Sequence, residues 1–218
     1  MTVVPASFQL AGWIPAYWRG AVGGDDMLSI LDPPAVNALA DLRDRTALVT
    51  AYCLALGVGA LPGPRPSTEA AVAAGEAVVL HGRDRGQSHL LVPLARGWEL
   101  LDCDTPRPVD LDVRQAATEM AQAVVLAEHA VRARQLQFEA RATVPAVRAL
   151  PPDADPQSKG LLVRAVRIWT AVDALDAAER PPELQEVLRA AARATLAAYA
   201  GVHVAAAQRQ PRHARRSV

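Results

Sequence analysis

Residues 76–102 read EAVVLHGRDRGQSHLLVPLARGWELLD, and this stretch decides the fold class. Three apolar runs, Glu76–His81, Ser88–Leu94 and Trp98–Asp102, are separated by Gly82-Arg-Asp-Arg-Gly86 and Ala95-Arg96-Gly97. Both separators carry glycine and have hairpin length, so the pattern predicts an antiparallel meander. On the N-terminal side, Thr46–Leu56 reads two ways. Leu48, Tyr52 and Leu56 would share a helical face, yet Thr46, Val49, Thr50, Tyr52 and Cys53 are of the β-branched, aromatic and small apolar types that suit a buried strand. The strand reading is preferred, which gives the sheet a fourth member. Leu61-Pro-Gly-Pro-Arg-Pro66 is a loop, and Ser67 caps a short helix, Thr68–Ala74, that Gly75 ends.

Further outward the chain reads as helix. Pro33-Pro34 opens a helix to Leu42 with Val36, Leu39 and Leu42 on one side. Before it, Trp13, Ile14, Tyr17 and Trp18 fall on one face of a short helix, Gly23-Gly24 interrupts it, and Asp25-Asp26 caps Met27–Leu31. Beyond Asp104-Thr-Pro-Arg-Pro108, Val113, Ala117, Met120, Val124, Ala127, Val131 and Phe138 mark the inward stripe of a long helix, with Asp110 and Asp112 at its positive end. Pro151-Pro152 and Asp153–Ser158 form a linker. Leu161, Ala165, Ile168, Val172 and Leu175 mark a second helix, and Leu184, Leu188, Ala191 and Ala198 a third that starts at Pro181-Pro182. Their alanine-rich seams permit close packing, within the chain or between copies. The expected fold is α+β: a small three- or four-stranded, largely antiparallel sheet packed against long C-terminal helices. Residues 1–32 are expected as an N-terminal aromatic arm, 33–208 as one domain with an alternative sub-boundary near 108, and 209–218 as a disordered basic tail.

Composition narrows the function classes. The chain has 218 residues, 23 basic and 23 acidic, for zero net charge, and 51% of it is hydrophobic. That balance excludes a surface made wholly for nucleic acid, a highly charged disordered chain and a polytopic membrane protein. Lys159 is the only lysine among the 23 basic residues, a bias that reflects a GC-rich genome more than chemistry. Met1–Arg19 has no basic residue before Arg19, unlike a secretory signal. Thr46–Pro64 is uncharged, but Gly57, Gly59, Pro62, Gly63 and Pro64 leave it far short of the roughly 20 apolar residues of a spanning helix. The expectation is a cytoplasmic protein without membrane contact.

The residues that could carry chemistry are few. Cys53 and Cys103 sit in no CxxC or Cys/His spacing and read as reduced thiols. The densest polar group is His81, Asp84, His89, Asp102, Cys103 and Asp104. It admits a thiol hydrolase or acyltransferase in which Cys103 or Cys53 is activated by His89 and oriented by Asp102. Against this, Asp102 and Asp104 would raise the Cys103 pKa, and Cys53 lies in an apolar setting. Histidines 81, 89, 129, 203 and 213 form no HxH, HxxxH or HExxH, although His81 and His89 lie across one hairpin and could approach each other. Gly57-Val-Gly59 lacks the rest of a dinucleotide loop, so neither metal nor cofactor is expected. Asp25-Asp26 is accounted for as a helix cap. Arg209, Arg212, Arg215 and Arg216 could give weak, salt-dependent contact with nucleic acid. Trp13, Tyr17, Trp18 and Arg19 combine types enriched at binding hot spots and are the candidate binding residues.

Two resemblances follow. SHLLVPLARGWELLDCDT (88–105) is similar to the His-strand, turn, Trp-strand, Asp pattern of transglutaminase-like proteases, which also need a nucleophilic Cys near the start of an upstream helix. WIPAYWRGAVGGDDMLSIL (13–31), LPGPRPSTEAAVAAGEAVVL (61–80) and SKGLLVRAVRIWTAVDAL (158–175) together resemble a family of small actinobacterial proteins to which no activity is attached. That resemblance implies a strand before LPGP, over Thr46–Leu54, and carries no catalytic residues. The function expected is non-enzymatic: a protein-interaction or structural module that binds a partner or its own copies through its helices. The alternative is the small thiol hydrolase or acyltransferase of transglutaminase-like type.

Overall fold

The apolar runs pair as their turns suggest. In the computed structural model, which describes residues 4–63, 65–83, 87–108, 112–134, 150–175 and 180–209 (201–209 as backbone), the sheet holds β1 (Thr46–Cys53), β2 (Glu76–Gly82), β3 (Ser88–Leu94) and β4 (Gly97–Cys103). Their order is β1-β2-β3-β4 and every pair is antiparallel. Thr50 faces Val79, Val79 faces Leu90, and His89 faces Asp102. Pro93 is tolerated in an inner strand because the β2 pairing stops at Leu91, so no partner waits for its missing N–H.

Around the sheet stand α1 (Ala6–Trp18), α2 (Gly24–Leu28), α3 (Pro33–Leu42), α4 (Pro66–Ala74), α5 (Val113–Ala133), α6 (Pro156–Asp173) and α7 (Pro182–Arg209). Alternation along the strands sends Val49, Ala51, Val78, Leu80 and Leu91 to one core, shared with α1, α6 and α7. Tyr52, Ala77, Val79, Leu90, Val92 and Cys103 face a second, smaller core that α4 closes. Over β1 to β3 both faces are largely covered, which explains why these strands read as nearly continuous apolar runs, whereas β4 is only partly buried.

The aromatic segment does not form an arm outside the domain. Phe8, Leu10 and Ile14 of α1 are fully buried, in one cluster with residues of α3, β1, β2, α6 and α7. The cause lies in its sequence, ASFQLAGWIPAYW, which is apolar on nearly all sides; such a helix is stable only when surrounded. Gly12 allows the approach to α7, since a Cβ there would lie 3.0 Å from Tyr199 Cδ1 and 3.1 Å from the Tyr199 carbonyl oxygen. The same cluster runs from Val4 to Tyr199, so it crosses both residue 32 and residue 108 without a break.

The long helices begin where capping chemistry places them. Asp112 accepts a hydrogen bond from the Gln115 N–H at 2.7 Å, and Asp155 accepts one from the Ser158 N–H at 2.9 Å. Asp110 and Phe138 lie outside the described residues. Leu184, Leu188, Ala191 and Ala198 of α7 are buried as their spacing suggests. Among the described residues, no helix is long and apolar enough to cross a membrane.

Candidate functional site

Among the described residues, the β3–β4 hairpin builds one histidine–carboxylate pair of the sequence pattern. Its register sets His89 opposite Asp102, and Nδ1 lies 3.0 Å from Asp102 Oδ1. This is two-thirds of a catalytic triad, and neither thiol completes it. Cys103 follows Asp102 in the strand and therefore points to the opposite face, into the core under α4. Cys53 shares a face with His89 but stands opposite Glu76, whereas His89 stands opposite Leu80. That offset is about 13 Å along the strands and about 10 Å across them. The set Cys103 or Cys53 with His89 and Asp102 is thus not assembled. His81 and His89 are separated in the same way: neighbours in register, they project from opposite faces and share no ligand.

The thiols are also chemically quiet. Burial pushes Cys53 up to about 11, with the nearby Glu76 carboxylate adding to the rise. Cys103 is raised to about 11 as well, by burial first and then by Asp104 and Asp102. Almost no thiolate exists at neutral pH, and the thiolate is the nucleophile. Iodoacetamide at pH 7.5 is therefore expected to leave both cysteines unmodified in the native protein and to label both in urea. A native thiol that reacts as fast as free cysteine, read by intact mass, would contradict this assignment.

The outer sheet face carries a polar cluster that strand propensities do not reveal. His81 is 3% exposed, and its Nε2 lies 2.7 Å from Thr50 Oγ1. Its Nδ1 is buried without a hydrogen-bond partner. Beside it, Ser88 Oγ meets Thr105 Oγ1 at 3.0 Å, and the Tyr52 hydroxyl donates to the Arg107 carbonyl at 2.8 Å. These bonds tie the 104–108 stretch across the sheet. Burial holds the His81 imidazole down to about 4, so it is neutral near pH 7.

The candidate binding residues of the N-terminal segment are held within the molecule. Trp13 is 8% exposed, Trp18 Nε1–H donates to the Leu39 carbonyl at 2.9 Å, and Tyr17 packs half-buried on the main core. Arg19 pairs with Asp153 at 2.8 Å. Arg209 ends α7, while Arg212, His213, Arg215, Arg216 and Asp84 lie outside the described residues.

A different surface takes their place. In α5 only Ala116, Met120 and Ala127 are buried, and Val124, expected on the inward stripe, is 38% exposed. Val125 and Leu126 beside it are 59% and 71% exposed. Consecutive helical residues turn by about 100°, so an unbroken Val-Val-Leu cannot all face one neighbour. Next to this crest, a groove of about 340 Å³ runs between α5 and α6 over the start of α7, walled by Val124, Val131, Ile168, Val172, Leu184 and Val187 among others. On the other flank of α5 lies a cleft of about 470 Å³, where Arg193 meets Glu119 at 3.3 Å and Arg189 pairs with Glu186.

Comparison with known proteins agrees with a family that has no assigned chemistry. Residues 7–113 match the family model described as Rv1486c-like protein, N-terminal domain, which spans α1 to the first residue of α5. The resemblance to a family without an attached activity is thereby borne out over that part of the chain. No curated protein and no solved structure matches the chain.

Proposed function

We propose that this protein is a cytoplasmic, non-enzymatic module that works through protein–protein contact, and that its first partner is a second copy of itself. The observation that supports the reading is the exposed α5 crest, Val124, Val125 and Leu126, of which the two valines wall an apolar groove while Leu126 borders the cleft on the other flank. A two-fold interface needs one patch to complement itself, and a knob next to a hole does so: each crest enters the other copy's groove. Symmetry doubles every contact made. The Glu128–Arg132 pair at the edge of the groove supplies the polar rim common to such interfaces. The thiol-hydrolase alternative has no comparable support, because neither Cys53 nor Cys103 reaches His89 and Asp102.

The test is sedimentation velocity on the untagged chain over a concentration series. A species of twice 23.1 kDa is expected, and Val125→Glu with Leu126→Glu should return it to 23.1 kDa with an unchanged melting curve, since both side chains are exposed. A wild-type protein that stays monomeric at the highest concentration, or a variant that dimerises equally well, would sink the proposal.

A further inference from the structure

We infer that Arg45, Arg83, Gln87 and His89 form an anion site at one end of the sheet that seats a single phosphoryl group. Arg45 lies in the turn from α3 into β1, and Arg83 directly follows β2. The backbone joins them: Arg83 N–H donates to the Arg45 carbonyl at 2.9 Å, and Arg83 Nε to the Thr46 carbonyl at 3.4 Å. The two guanidinium groups therefore leave neighbouring points of the backbone whatever their rotamers. The β1–β2 register also shifts between Thr46 and Leu48, and irregularities of this kind re-aim side chains at strand ends.

Together with Thr46, Gly82 and Leu42, these residues line a cleft of about 20 Å³, room for about one water-sized group. One anion oxygen fits, with the remainder of the ligand in solvent. No carboxylate among the described residues lines the cleft. Among the described residues, neither Arg45 nor Arg83 forms an ion pair. Asp102 is engaged with His89 Nδ1, which leaves Nε2 as the ring's other polar atom. Two guanidinium groups with no ion pair among the described residues, an imidazole and an amide suit a group with several acceptor oxygens and up to two charges. A phosphoryl group meets both conditions, because each guanidinium can bind two of its oxygens in parallel. A carboxylate, with one charge and two oxygens, fills half of such a site.

The experiment is an amide ¹H–¹⁵N titration of the full chain with inorganic phosphate, sodium chloride holding ionic strength constant. Saturable shifts are expected at Gly82, Arg83, Gln87 and His89. Arg45→Gln with Arg83→Gln should weaken them at least 10-fold; both side chains are exposed, and an otherwise unchanged spectrum verifies the fold. Acetate should bind at least 10-fold more weakly than phosphate. A parallel titration with phenyl phosphate separates the two sources of the group: tighter binding than phosphate assigns a phosphomonoester, and weaker binding the free ion. Shifts that chloride alone reproduces, acetate as tight as phosphate, or an unaffected double variant would each overturn the site.

Discussion

Phe8→Ala is expected to lower the free energy of unfolding by about 3–5 kcal/mol, the range for emptying a buried phenylalanine site. Phe8 is fully buried, and its ring meets Trp169 edge-on, with centroids 6.1 Å apart and planes at 65°. The substitution removes apolar burial, leaves a cavity between α1 and α6, and forfeits a T-shaped aromatic pair worth about 0.5–1.5 kcal/mol beyond its area. Against a total stability of about 5–15 kcal/mol for an ordinary domain, that is a large fraction. The figure also discriminates between architectures. Were residues 1–32 a peripheral arm, the same change would cost about 0.5 kcal/mol or less, as surface substitutions do. Urea unfolding followed by tryptophan fluorescence measures the difference, and a loss below about 1 kcal/mol would place α1 outside the core.

Acid is expected to weaken the protein through His81. The ordinary histidine value is 6.5, and burial lowers His81 to about 4 in the folded state. Between those two values the unfolded chain binds a proton that the folded chain refuses, so stability falls as pH falls. The full contribution is present above pH 6.5 and is lost on approaching pH 4. About 2.5 pH units at about 1.4 kcal/mol each amount to roughly 3 kcal/mol. Acidifying through this window gives the imidazole a charge in a pocket where its Nδ1 has no hydrogen-bond partner. Asp155 contributes separately and at lower pH, because the hydrogen bonds from Ser158 and Gln157 outweigh its burial and hold its carboxyl below 3.8. Urea unfolding at pH 7 and pH 4.5, on wild type and on His81→Gln, isolates the effect. The variant should lose much less stability on acidification than wild type. Equal losses would show that His81 is already charged in the native state.

Much of the sheet was legible because its information is local. The runs 76–81, 88–94 and 98–102 with their glycine-bearing turns specify neighbours in sequence that become neighbours in space, and a short turn sets the His89–Asp102 register. The second half of that site was legible only in part. Parity along β4 already sends Cys103 away from Asp102, but the distance from His89 to Cys53 depends on how β1 is aligned with β2. Thr50, which reads as a β-branched strand former, became the partner of His81 through the same alignment.

By itself, then, the sequence determined the α+β class, the meander and the inward seam of α7, since each depends on a pattern of residues within one segment. Tertiary structure alone decided the rest. Whether α1 lies outside or at the centre is invisible in a helix that is apolar all round, because such a pattern has no preferred side until neighbours surround it. Val124 fits an inward stripe by its spacing, and only the packing of α5 in the fold leaves it in solvent beside Val125 and Leu126. Arg45 and Arg83, far apart in the chain, became a pair only when β1 and β2 joined. In each case the deciding quantity is which surface another element removes from water, and that belongs to the assembled fold rather than to any segment of it.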